Sequence, residues 1–299
     1  MTTERSSAVS IVVPVYNDPD GITTTLESLL TQTIDDYRIV VVDNDSTDRT
    51  PAVVRSYDDD RITLCHESEI QSSYAARNTG IRNTSSDLLA FVDADMTVPE
   101  DWLESVLETV HATDADYVGC NVELTLSDEP TLAARYDHHT GFPVQQYLER
   151  QQFAPTCCLF VRREVFEDVG VFDHRLESGG DKEFGNRVHE AGYGLHYASD
   201  VTMFHPTRNS IAELVKKDRR VGRGLCQLQR HHPDRYGTPG IPPRPSGIKR
   251  PDRDLPRKDR LAFGVLSRFL TGVRGFGYYQ EYATGERHDG LEGGLPELE

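Results

Sequence analysis

Leu88-Leu89-Ala90-Phe91-Val92-Asp93-Ala94-Asp95-Met96 is an apolar run that ends in two carboxylates separated by one alanine. A short continuous apolar segment reads as a strand buried on both faces, the form strands take in a parallel sheet. In open α/β sheets ligands sit beyond the carboxyl ends of the strands, which is where Asp93 and Asp95 fall. Side chains two apart on an extended chain share a side, so both carboxylates are expected to face one ligand. Acidic oxygens at such an edge suit Mg2+ or Mn2+, which keep part of their shell for water and substrate phosphate. Asp is also common in turns, and a solvated loop is the other reading of the pair taken alone.

Toward the N-terminus, residues 8–13 (AVSIVV) form a first buried strand followed by Pro14-Val15-Tyr16-Asn17, and Ile22, Leu26, Leu29 and Leu30 then recur at helical spacing. Arg38 to Val42 is a second strand, ending in the polar cluster Asp43 to Asp48, which could cap the next helix. Arg61 to Cys65 is a third, and Ser73 to Ile81 a helix with a polar middle. After the central strand, Thr97-Val98-Pro99-Glu100 has the form of a capping box ahead of a helix faced by Leu103, Val106, Leu107 and Val110. Strand and helix thus alternate four times in the first third of the chain, which calls for an α/β, Rossmann-like, mostly parallel central sheet flanked by helices. No GxGxxG follows the first strand and no GxxxxGK[ST] occurs, which argues against dinucleotide enzymes and P-loop NTPases.

The 299 residues are 37% hydrophobic and 27% charged, a soluble globular balance. No run approaches a membrane span, and MTTERSSAVSIVV lacks the features of a secretory signal, so the cytoplasm is the expected location. Five cysteines without CxxC or zinc-like spacing indicate neither a disulfide framework nor a structural metal. The net charge of −17 is unevenly spread: His205 to Gly275 carries 17 Lys and Arg against 6 Asp and Glu, and the remainder is at −28. That asymmetry suggests an anionic partner for the basic region. The acidic, lysine-poor remainder resembles proteins of high-salt cytoplasm.

Pro14-Val15-Tyr16-Asn17, Val42-Asp43-Asn44-Asp45-Ser46-Thr47-Asp48, Ala76-Arg77-Asn78-Thr79-Gly80 and Phe91-Val92-Asp93-Ala94-Asp95 together resemble the ordered motif series of the family 2 glycosyltransferases. Thr156 to Phe166, Val169 to Asp173, and Ser178-Gly179-Gly180-Asp181-Lys182-Glu183-Phe184-Gly185-Asn186-Arg187 resemble its acceptor-side segment and catalytic motif. The likeness covers most of residues 8 to about 220 and is weakest over 125–150. Many relatives have Glu-Asp where this chain has Gly180-Asp181, and they often have Asn near Cys158. The resemblance implies a GT-A fold and metal-dependent inverting transfer of a sugar from a UDP- or GDP-sugar to a hydroxyl of a glycan or lipid-linked acceptor. It implies Asp181 as general base, with Glu183 as the other candidate carboxylate. Asp95 and His205 would be ligands of Mn2+ or Mg2+, and Asp93 would contact the ribose. Pro14, Tyr16, Asn17, Asp43, Asp45 and Arg77 would contribute to the nucleotide-sugar site.

Each residue also has an ordinary reading: Asp181 as a helix N-cap, Arg77 as an exposed helix arginine, Tyr16 as packing at a strand edge, and His205 as a packed surface histidine. A non-catalytic nucleotide-sugar or glycan-binding scaffold and a sugar nucleotidyltransferase remain as alternatives. The expected organisation is a domain over 1–230, with a nucleotide half at 8–124 and an acceptor half at 125–230, followed by a basic, partly irregular extension over 231–299. Within the extension, 233–260 reads as a loop or semi-ordered arm, and the acidic, Gly-rich last residues as frayed. Leu261, Ala262, Val265, Leu266, Phe269, Leu270 and Val273 form one apolar helix face among Arg257, Arg260, Arg268 and Arg274. That helix either docks on the catalytic domain or lies peripherally at the inner face of a membrane. Nucleic acid is not an expected partner, because no binding module accompanies the basic residues.

Overall fold

The computed structural model describes residues 8–243, 255–285 and 298. The first elements are β1 (Val9–Val15), α1 (Pro19–Leu29), β2 (Tyr37–Asp43), α2 (Thr50–Arg55), β3 (Ile62–His66), α3 (Ser73–Arg82) and β4 (Leu88–Phe91). They are followed by α4 (Trp102–Thr113), β5 (Tyr117–Thr125), α5 (Leu132–Thr140), α6 (Val144–Gln151), β6 (Leu159–Arg162) and α7 (Arg163–Val169). The last are α8 (Gly180–Glu190), β7 (Leu195–Pro206), α9 (Ile211–His231), the single turn α10 (Pro233–Tyr236) and α11 (Arg257–Thr284).

Seven strands form one sheet in the order β3-β2-β1-β4-β6-β5-β7. All run the same way except β6, which is antiparallel to both β4 and β5. Every residue of β4 is buried, and so is every residue of β1 except Pro14, as the unbroken apolar runs require. The one hydroxyl in β1, on Ser10, is satisfied by Ser86 Oγ at 2.7 Å. Behind the sheet, Phe166 stacks on Phe184 with centroids 4.9 Å apart, and Phe172 tilts against Phe184 at 4.7 Å. This cluster ties α7 and α8 to the strand that leads to Asp93. The sheet continues without a break across residue 124, so both halves of the chain share one core.

Local signals explain most element starts. Asp18 accepts the Gly21 N–H and Pro19 opens α1, and Ser72 Oγ accepts the Tyr74 N–H at the start of α3. The Thr97–Glu100 capping box does not form. Helix α4 starts only at Trp102, and Thr97 instead makes a two-bond antiparallel bridge with Phe204: Thr97 N–H donates to the Phe204 carbonyl at 3.0 Å and Phe204 N–H returns at 2.9 Å. A β partner for this backbone outweighs a local cap. The partner is available because β7 shifts register against β5, passing from Ala198 opposite Cys120 to Thr202 opposite Asn121. The three residues between them bulge, and such bulges re-aim the strand beyond.

The C-terminal helices pack as a parallel pair, with contacts running from Asp218–Arg274 to Arg230–Glu281. Helix α11 lies along α9 at backbone contact: a Cβ on Gly222 would run into the Arg274 carbonyl, and one on Gly277 into that of Arg219. Ion pairs line the seam, with Arg274 Nε 2.9 Å from Asp218, and Arg223 and Arg230 both reaching Glu281 at 3.1 and 3.0 Å. The single apolar face expected for this helix is in fact two. Phe263, Leu266 and Leu270 are buried, whereas Leu261, Val265 and Phe269 point outward. Within the expected irregular arm, residues 233–236 are helical and Arg257 already belongs to α11. Residues 244–254 and nearly all of the expected frayed tail lie outside the described residues. Gly222→Val is expected to cost about 1–3 kcal/mol by forcing the two helices apart. Gly272→Ala, on α11 where nothing lies within 4 Å, should gain up to about 1 kcal/mol from helix propensity. Thermal or denaturant melts of the two variants provide the comparison.

Candidate active site

A cleft of about 800 Å³ opens at the carboxyl edge of the sheet. Its walls are the ends of β1 and β4, the N-terminal half of α3, the 174–181 loop and one side of α9. On the sheet side, Pro14 and Tyr16 follow β1 into the cleft, joined by Asn44. Asn44 was not singled out from sequence; its amide donates to the Glu67 and Ile70 carbonyls at 3.0 and 2.9 Å and fixes the loop beneath. Asp43 is buried at the end of β2. Its Oδ2 accepts from His66 Nδ1 at 3.3 Å and from Ser46 N–H at 3.4 Å, while its buried Oδ1 has no partner. A buried, unpartnered acceptor is costly unless a ligand donates to it.

Asn17 and Asp45 do not line the cleft. Both have left-handed backbone (φ 49° and 64°), which Asn and Asp tolerate best among non-glycine residues. Asn17 instead laces the two loops together: its N–H donates to Ser46 Oγ and its Oδ1 accepts from Thr47 N–H, each at 2.8 Å.

Asp93 and Asp95 lie beyond the last residue of β4, in a turn closed by Met96 N–H to the Asp93 carbonyl at 3.2 Å. They therefore do not share one face of an extended strand. Asp93 faces the cleft and is gripped by Arg77, whose Nη2 is 2.5 Å from Oδ1. Arg77 is buried, not exposed, and its Nε has no partner. Asp95 turns toward His205, Oδ1 to Nε2 at 3.6 Å, because the Thr97–Phe204 bridge sets their two backbones side by side. His205 Nδ1 lies 2.7 Å from the Pro206 carbonyl, which can only accept, so Nδ1 carries a proton; in the Nδ1–H tautomer Nε2 presents its lone pair to Asp95. Two acceptors facing each other fit a cation between them, and a backbone carbonyl orienting the far nitrogen is the usual second shell of a metal-binding histidine. No cluster of three or more such ligands occurs among the described residues, so a divalent ion here would draw its remaining ligands from phosphate oxygens and water.

Across the cleft, Asp181 sits in the first turn of α8, after Gly179 in left-handed conformation (φ 90°). Tyr74 makes this loop. Its hydroxyl accepts the N–H groups of Gly180 and Asp181 at 3.0 and 3.4 Å, and a Cβ on residue 180 would lie 2.8 Å from its ring. The glycine that departs from the family pattern is thus the residue that leaves room for Tyr74. Burial raises the pKa of Asp181, opposed by the Lys182 N–H bond and the charges of Arg77 and Arg220. Glu183, the other candidate base, lies away from the cleft. It is fully buried, with Oε1 2.7 Å from Arg187 Nε and Oε2 2.9 Å from Arg187 Nη2, and with Arg235 at 3.5 Å. It lies two positions from Asp181, around α8 from it, and does not line the cleft.

The last wall was not legible as part of the site. Lys216, Lys217, Arg220 and Arg223 of α9 and Arg208 before it all line the cleft. Lys217 and Arg208 share the buried carboxylate of Asp137 at 3.4 and 3.1 Å, and Arg223 pairs with Glu177 at 3.0 Å. Lys216 and Arg220 make no ion pair among the described residues. The spacing 216, 220, 223 was the available signal, since it places three cations on one helix face.

Residues 10–170 match the model of "Glycosyl transferase family 2". The chain is 42% identical over 224 residues to glycosyltransferase AglE of the halophilic archaeon Haloferax volcanii, covering 74% of this chain and 73% of that one. It is 28% identical over 237 residues to the pre-mycofactocin glycosyltransferase of Mycobacterium tuberculosis, covering 76% of this chain but only 48% of that relative. Among solved structures, the mannosyltransferase PcManGT from Pyrobaculum calidifontis in complex with GDP-Man and Mn2+ aligns with a TM-score of 0.60 at 19% identity, over 97% of this chain and 77% of that one. S. aureus TarS 1-349 in complex with UDP-GlcNAc aligns at 0.55 and 14%, over 94% and 92%.

The sheet order, its one reversed strand and the acid-bearing cleft at the carboxyl edge define a GT-A fold of the kind those nucleotide-sugar transferases share. The chain belongs to glycosyltransferase family 2 and is a glycosyltransferase. Its acidic composition accords with the haloarchaeal origin of the relative.

The structural role of Glu183 is testable apart from chemistry. Glu183→Gln removes the carboxylate that pairs with buried Arg187 and should destabilise the fold by about 3–5 kcal/mol. Nucleotide affinity at temperatures where the variant is folded should be unchanged, measured by calorimetry beside the melt.

Proposed function

We propose that this enzyme transfers a sugar from a UDP- or GDP-sugar, with inversion, to a hydroxyl of a glycan or lipid-phosphate-linked acceptor, and that Asp181 is the general base. The observation that carries the reading is the position of Asp181: a carboxyl with raised pKa in the cleft, across from the Asp93–Arg77 and Asp95–His205 pairs. In a single displacement the acceptor oxygen bonds to the anomeric carbon as the bond from that carbon to the diphosphate breaks. The hydroxyl proton passes to Asp181, the bonding electrons leave with the diphosphate, and attack opposite the leaving group inverts the centre. A raised pKa suits a base, because proton transfer is most effective when the base's pKa lies near the working pH.

On the donor side, the unpartnered Oδ1 of Asp43 is the acceptor for an N–H or O–H of the nucleoside, with Pro14 and Tyr16 shaping the base pocket and Asp93 at the ribose. Asn17 and Asp45 serve by setting the shape of those loops. Mn2+ or Mg2+ held by Asp95 and His205 would neutralise charge developing on the diphosphate. On the acceptor side, Lys216 and Arg220 favour a substrate that carries phosphate, in keeping with a lipid-phosphate-linked acceptor met in the cytoplasm at the inner face of the membrane. No described helix is long and apolar enough to cross a membrane.

Calorimetry with UDP, GDP and their sugar conjugates tests the donor site. One nucleotide should bind in an Mn2+-dependent manner, Asp95→Ala should abolish the metal dependence, and His205→Ala should weaken it about tenfold or more. Binding that is indifferent to metal in all three proteins would remove the assigned ligands. Asp181→Asn should keep donor affinity and lose transfer by about 10²–10⁴-fold. The raised pKa adds a sign. Ionised Asp181 is less favourable in the folded than in the unfolded chain, so its cost is absent at acid pH and grows as pH rises through the unfolded and then the folded pKa. Asp181→Asn should therefore melt higher than wild type at neutral pH, with the gap closing on acidification. The acid limb of kcat/KM should fall above the ordinary carboxylate range.

A further inference from the structure

Helix α11 has a second face that the fold does not use. Leu261, Val265, Phe269, Phe276 and Tyr279 project from it with 72, 59, 51, 62 and 51% exposure. At 100° per residue these positions fall within one quarter of the helix circumference. Isolated exposed apolar residues need no explanation, but a contiguous stripe of large ones along several turns does.

The charges on the helix are divided in the same way. Its only acidic residues, Asp259 and Glu281, both point inward: Asp259 pairs with Arg135 at 2.9 Å and Glu281 with Arg223 and Arg230. Arg257, Lys258 and Arg268 share the outer face and make no ion pair among the described residues. On a protein of net charge −17, the described outer face of α11 is thus apolar and aromatic, and its charged side chains are cationic.

We infer that the outer face of α11 seats the enzyme on an anionic lipid bilayer, with the helix lying in the interface plane. Apolar and aromatic side chains would enter the acyl boundary while the cations remain at headgroup phosphates. The same charges weigh against a second copy of the chain as the occupant. A twofold contact sets a patch against itself and would oppose cation to cation. Spanning the bilayer is excluded for this helix by its composition. This inference rests on the surface of α11 alone and goes beyond the transfer chemistry, so either can fail without the other.

The test is co-sedimentation of the full-length protein with phosphatidylglycerol and with phosphatidylcholine vesicles. Wild type should bind both and prefer phosphatidylglycerol, and the preference should fade in roughly 1 M salt, where the Debye length is about 3 Å, while apolar binding persists. Val265→Asp with Phe269→Asp should raise the lipid concentration for half-binding about tenfold or more. Arg257→Gln, Lys258→Gln and Arg268→Gln together should remove only the preference. All these positions are exposed, so melting temperature and nucleotide affinity should stay at wild-type values and certify folding. Absence of wild-type binding to either vesicle, or equal binding by the aspartate variant, overturns the inference. So does a wild-type dimer in sedimentation velocity that the aspartate variant dissolves while vesicles are ignored; that result assigns the face to self-association.

Discussion

The site depends on two backbone hydrogen bonds between Thr97 and Phe204. They join the loop that leaves the central strand to the last strand of the sheet, residues more than a hundred positions apart. Without them Asp95 would end a solvated turn and His205 would end an edge strand, and neither would have reason to face the other. The register slip in β7 makes the bridge possible, since the strand must bend over the sheet edge to reach Thr97. An irregularity in the sheet is therefore what brings the two halves of the chain to one ligand site.

Electrostatics divides the molecule in the same place. An acidic surface surrounds a cleft in which basic residues outnumber carboxylates, with most of the cations supplied by α9 and the segment before it. An anion is attracted to such a cleft even as the protein as a whole repels it, because low-dielectric walls concentrate the local field. The paired cations are held by buried carboxylates such as Asp137, which fix their direction, while Lys216 and Arg220 keep their full charge for a ligand.

Much of this was legible in the residues themselves. Buried strands announce themselves by unbroken apolar runs, and the loops that follow them must lie at one sheet edge, so Asp43, Asp93 and Asp95 could be gathered in advance, while Pro14, Tyr16, Arg77, Asp181 and His205 were joined to them by the resemblance to family 2. Periodicity gives no account of which way a side chain points once the strand has ended. Asn17 and Asp45 were grouped with the ligand contacts, yet neither lines the cleft, and Asn17 ties loop to loop. Glu183, two positions from Asp181, lies around the helix from it and fell into an ion-pair cluster with Arg187 one turn on and Arg235 far along the chain. The capping box at Thr97 failed for the same reason: a pattern local in sequence lost to a contact that is distant. The cations of α9 were visible as a basic helix, but their direction was fixed only by the docking of α11 on its other side.

Tyr74 and Gly180 occupy one shared volume. The phenol fills the space that a larger residue at 180 would claim, and it also binds the backbone of the loop that leads into Asp181. Neither position can drift alone: enlarging 180 evicts the ring, and shrinking 74 leaves two buried N–H groups bare. Their substitution energies should be strongly non-additive, and the two sites are free to vary only as a pair. A residue that looks like a lapse from the family pattern is half of a two-part exchange, with its other half on a helix 106 positions earlier in the chain.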